Sequence, residues 1–157
     1  MRNNSIRLLL VCLWVAAASA RTVDLTLAPR IVGNTIYIEG TTDLPDGAII
    51  EWELRHEHVW ERRDIPIEHM SGEGHTVVRG HRYYAAVNLS NWPSGSIEVW
   101  IAFQPRSYGT RQPAYINGIF GINGEGMDGA NVTYHPAQMR RVELIKNVAL
   151  RTERAGR

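Results

Sequence analysis

One cysteine, Cys12, is the whole thiol complement of this 157-residue chain. With no second cysteine, no disulfide can form within the chain. Lysine is as scarce, with Lys146 alone, so the other basic residues are arginines. Long apolar runs are missing too. The longest, Leu8 to Ala18, falls well short of the roughly 20 residues that carry a helix across a bilayer. There is no excess of one charge either: 17 basic residues stand against 16 acidic ones, for a formal net charge of +1. No block of like charge interrupts that balance, which argues against electrostatic capture of nucleic acid or of an anionic membrane.

The short apolar run has its own meaning. Arg2 and Arg7 precede it, and the small residues Ala18-Ser19-Ala20 follow it just before Arg21. A basic start, a short apolar middle and a small-residue end are the parts of a secretory signal peptide. Residues 1–20 are therefore expected to be an export signal, leaving a mature chain from Arg21. Cys12 leaves with it; it follows Val11 rather than a small residue at a cleavage point, which does not suit a lipid anchor. Loss of Arg2 and Arg7 leaves 15 basic residues against 16 acidic ones, so the balance turns slightly negative. The destination expected is the periplasm or the outside of the cell. Small thiol-free exported domains point to a bacterial envelope rather than a disulfide-rich eukaryotic secretion.

From Arg21 onward, apolar residues recur with a period of two, the signature of strands with one buried face. Val23, Leu25 and Leu27 alternate with polar residues until Pro29, and Ile36 and Ile38 do so before Gly40. Leu44-Pro45-Asp46-Gly47 has the chemistry of a turn. After it Ile50, Trp52 and Leu54 share one face, which places Trp52 in the core. The clearest strand follows the turn Asn91-Trp92-Pro93-Ser94-Gly95, with Ile97, Val99, Ile101 and Phe103 on one side. Between these, Val59 to Met70 reads as an interrupted edge strand, because Pro66 lacks a ladder donor. Ser71-Gly72-Glu73-Gly74 reads as a turn, and Thr76 to Leu89 as two strands, or one with a break at Gly80. Residues 112–120 are compatible with a short helix, Pro113 being tolerated in a first turn. Ala130 to His135 and Val142 to Leu150 return to strand character, and 151–157 are expected to be a disordered tail. Short strands at this spacing predict an all-β, antiparallel two-sheet sandwich over residues 21–150.

The segment Gly40-Thr41-Thr42-Asp43-Leu44-Pro45-Asp46-Gly47 resembles the strand–turn opening of immunoglobulin-like β-sandwich domains in exported bacterial proteins. The run Gln112-Pro113, Gly118, Gly121, Gly124-Glu125 and Gly129 is similar to segments of uncharacterised members of such families. The resemblance implies a sandwich fold and brings no catalytic residue with it. A helix between the last strands departs from a simple immunoglobulin pattern.

Candidate sites are few. His56-Glu57-His58 would set two imidazoles on one side of a strand, a spacing that suits Zn²⁺ or Cu²⁺ if His69, His75, His81 or His135 came close. Gly124-Glu125-Gly126-Met127-Asp128-Gly129 has dinucleotide spacing, but Ala130-Asn131-Val132-Thr133 and Pro136 after it leave no helix to hold a pyrophosphate. No G-x-S-x-G elbow is present. Asn88-Leu89-Ser90 and Asn131-Val132-Thr133 are glycosylation sequons, relevant only to eukaryotic secretion. Tyr37, Tyr84 and Trp100 fall opposite the aliphatic positions of three strands, where rings can stack on sugars or anchor a protein. The reading that follows is an exported, non-catalytic binding or scaffolding module without a cofactor, its partner a carbohydrate or an envelope protein. The other reading is a small metal-binding or hydrolytic enzyme built on His56 and His58.

Overall fold

A computed structural model describes residues 20–106, 109–134 and 139–151. Most of the expected signal peptide, the tail from residue 152 and His135 lie outside the described residues. In chain order the strands are β1 (Arg21–Thr22), β2 (Arg30–Val32), β3 (Thr35–Thr41), β4 (Ile49–His56), β5 (Ser71–Val77), β6 (Arg82–Asn88) and β7 (Gly95–Phe103). A helix, α1 (Ala114–Phe120), precedes β8 (Met127–Asp128), β9 (Val132–Tyr134) and β10 (Arg140–Leu150). Five strands form an antiparallel sheet in the order β5-β4-β7-β10-β9, and three form another in the order β2-β3-β6. β1 and β8 make a short parallel pair. No described helix is long and apolar enough to cross a membrane.

Period-two alternation sets both inner faces. Ile36, Ile38 and Tyr83 from the smaller sheet share one hydrophobic cluster with Ile50, Leu54, Ile97, Val99, Ile101, Phe103 and Val142 from the larger. Several of these are fully buried, and each large aliphatic removed from water contributes about 1.5–3 kcal/mol. Val23, Leu25 and Leu27 are buried as their alternation requires, but only Arg21 and Thr22 of that run form a strand. Leu25 adds an isolated bridge to Thr42, and the Thr26 carbonyl accepts the Tyr83 hydroxyl instead of a regular ladder partner. Gly40 makes this approach possible, since a Cβ there would lie 1.9 Å from the Thr26 oxygen. The helix forms one residue beyond Pro113, and Phe120 packs edge-on against Phe103 with centroids 5.2 Å apart.

The middle of the chain departs from its sequence reading. Val59 to Met70 is not an edge strand: turns follow His56, and a single 3-10 turn spans Ile67–His69 behind Pro66. Ser71 to Gly74 is not a turn but the first half of β5. The reason is Trp52, which pairs with Gly74 and lays its indole where a Cβ would stand, 2.4 Å from Cζ2. Glycine here makes room for a ring across the ladder, a use of glycine in strands that leaves no local mark. Trp52 itself is on the inner face yet only partly buried, packing against the core from the side of the edge strand. The break expected at Gly80 is a two-residue turn: Gly80 and His81 both have positive φ, 56° and 62°, between the bridged Arg79 and Arg82. Two successive left-handed residues are what a tight hairpin turn of the primed type demands.

Candidate functional site

The outer face of the five-stranded sheet is polar, and its rows follow from register. Glu73, Glu53, Trp100 and Ile145 are successive cross-strand partners in β5, β4, β7 and β10. One step along, His75, Glu51, Ala102 and Glu143 form the adjacent row on the same face. Ala102 is the smallest side chain in either row, so larger neighbours on both sides close over it and it is fully buried. A groove of about 630 Å³ runs across this face, lined by Trp100, Glu51, Glu53, Glu73, His75 and Gln104.

Trp100 is held rigidly. Its Nε1–H donates to Glu143 Oε2 at 2.8 Å, and Thr133 Oγ1 donates to Glu143 Oε1 at 3.0 Å. Arg141 completes the support, with its NH2 group 2.9 Å from Glu143 Oε2 and its guanidinium carbon 5.8 Å from the indole centroid. Burial pushes the Glu143 carboxyl up. The hydrogen bonds from Trp100 and Thr133 and the charge of Arg141 outweigh it, and its pKa ends below the usual value. Across the groove, Gln104 Nε2 donates to Glu51 Oε2. Arg55 grips Glu53 with two bonds, Nε to Oε1 at 2.7 Å and NH2 to Oε2 at 2.9 Å. Glu53 and Glu73 are directly opposed, an arrangement of like charges that costs stability.

The other aromatics lie elsewhere. Tyr37 and Tyr84 meet on the three-stranded sheet with centroids 5.9 Å apart, Tyr84 being 53% exposed. Arg30 covers Tyr37 at 4.2 Å and pairs with Glu39 at 2.8 Å. The structure thus brings Tyr37 and Tyr84 together and sets Trp100 on the other sheet.

The histidine pair does not share a strand face. β4 ends at His56, and the chain turns as Glu57 reaches back, its Oε1 accepting the Ser96 N–H at 2.8 Å. His56 is 2% exposed and both ring nitrogens are engaged. Nδ1 accepts the His58 N–H at 3.1 Å, which puts the proton on Nε2, where it faces the Ser94 carbonyl at 3.3 Å. His58 turns outward and bonds Glu61 through Nδ1 at 2.6 Å. Among the described residues no three His, Cys, Asp or Glu side chains gather as metal ligands. The glycine-rich segment is followed by a turn rather than a helix, and Glu125 folds back to accept Asn123 N and Nδ2.

Glu143, Gln104 and Glu51 were not singled out by sequence reasoning. Their alternation marks an outer face, but nothing local says that β10 and β4 flank Trp100. No protein-family model, curated protein or solved structure matches the chain.

Proposed function

We propose that this chain is an exported, non-catalytic β-sandwich module of the immunoglobulin-like kind, and that it binds a carbohydrate in the groove beside Trp100. One observation carries the reading: an indole locked by Glu143 stands in a groove whose other walls present carboxylates, an amide and an imidazole. Sugars bind by laying an apolar ring face on an aromatic side chain while their hydroxyls bond planar polar groups around it. A ring fixed in advance loses little freedom on binding, which favours affinity. Two antiparallel sheets contributing to one hydrophobic cluster support the sandwich architecture.

Export rests on the leader-like residues 1–20. The Arg21 N–H donates to the Gly126 carbonyl at 2.7 Å. Cleavage before Arg21 would turn that amide into an ammonium, which still donates there. The test of function is a glycan array probed with the mature chain and with Trp100→Ala. Binding by the mature chain that is lost in the variant supports the reading, and equal binding by both rejects the groove.

A further inference from the structure

At the base of the connection between β7 and α1, Arg106 and Arg111 face each other as an isolated antiparallel bridge. Directly opposed residues in such a bridge project to the same side, with Cβ atoms about 4.5–5.5 Å apart, and like charges so placed repel. Arg30, Arg55, Arg62 and Arg141 each pair with a carboxylate. Among the described residues, Arg106 and Arg111 have no such partner. Both line a cavity of about 840 Å³. Its other walls include Asn117 and two apolar side chains, Ile122 and Met139, of which Ile122 is 57% exposed.

Two exposed guanidinium groups with no carboxylate partner among the described residues, beside an exposed isoleucine, match the two halves of one ligand. We infer that the cavity is a second binding site, for an amphiphilic oxyanion: a carboxylate or phosphate head between Arg106 and Arg111, and an apolar body against Ile122 and Met139. Guanidinium forks match the planar oxygens of either head group, and the apolar body would take Ile122 out of water. The site is independent of the Trp100 groove, with which it shares only the residues Gly109 and Thr110. The other opposed arginines, Arg79 and Arg82, line neither cavity and serve as the control.

The experiment is a calorimetric titration of the mature chain with octanoate and with octyl phosphate, beside hexanol and inorganic phosphate as probes of each half. Saturable binding of at least one amphiphilic anion is expected, tighter than hexanol or inorganic phosphate. Arg106→Ala and Arg111→Ala should weaken it tenfold or more, while Arg79→Ala binds as the parent does. A thermal melt at low salt gives an independent readout. Without ligand, Arg111→Gln should melt no lower than the parent, because it relieves repulsion, and the amphiphile should raise the melting temperature of the parent only. Failure of both amphiphiles to bind, or equal binding by Arg111→Ala, would overturn the site. So would inorganic phosphate matching the amphiphiles, or an equal thermal shift in parent and Arg111→Gln.

Discussion

Gln112 satisfies both backbone groups of Ile49 with one side chain: its Oε1 accepts the Ile49 N–H at 2.8 Å and its Nε2 donates to the Ile49 carbonyl at 2.8 Å. The same Nε2 reaches the Gln104 carbonyl at 3.1 Å. A buried amide thus stands in for a strand partner at the start of β4, and it ties the connection before α1 to the sheet. Gln112→Ala leaves three backbone groups without partners in a site that is 5% exposed at Gln112. The expected loss is about 2–4 kcal/mol, from the usual cost of unpaired buried groups. Urea denaturation measures it, and a midpoint within error of the parent would show that water replaces the amide freely.

Gly74→Ala should destabilise the fold although alanine loses less chain entropy than glycine. The added Cβ would meet the Trp52 ring at 2.4 Å, and overpacking of that kind costs about 1–3 kcal/mol. In a Trp52→Ala background the same substitution should cost nothing, because the conflict is between those two side chains. A double-mutant cycle on melting or denaturation gives the coupling. Additive effects would mean that β5 and β4 pair in another register.

Much of this was legible in the sequence, and the rest had a common physical cause. Alternation is local, so the inner faces of β3, β4 and β7 could be read from Ile36, Ile50 and Ile97 onward. Partnership is not local. Gly74 looks like a turn residue until Trp52 lies opposite it, and His58 continues a strand until Glu57 bonds Ser96 and bends the chain away. The same holds for the site. Trp100 was placed on an outer face by its neighbours, whereas Glu143 meets it only through the β7–β10 register. Tyr37 and Tyr84 shared the pattern of Trp100 but belong to the other sheet, and sheet membership leaves no trace in alternation.

Stability should fall with acid in a way that Glu143 shapes. Its pKa is lowered in the fold, so the folded state favours the charged carboxylate more than the unfolded chain does. That contribution is present above the unfolded value of about 4.3 and is lost as pH falls through the lower folded value. Glu143→Gln should therefore flatten the decline in denaturation midpoint from pH 5 towards pH 3. An unchanged pH profile in the variant would show that the carboxylate gains nothing from Trp100, Thr133 and Arg141.

Expression of the full 157-residue chain in a host that recognises secretory signals should yield a protein beginning at Arg21. Intact mass and N-terminal sequencing read this directly. A chain still carrying Met1, recovered with membranes, would contradict the export reading while leaving the groove untouched.

Glycan binding by the chain from Arg21 and by its Trp100→Ala variant, measured side by side, tests whether Trp100 makes the ligand-binding surface. Trp100 lies outside the hydrophobic cluster of buried residues, so the variant should still melt cooperatively. The parent should bind a glycan that the folded variant does not detectably bind. A folded Trp100→Ala that binds the same glycans with the parent's affinity would contradict it.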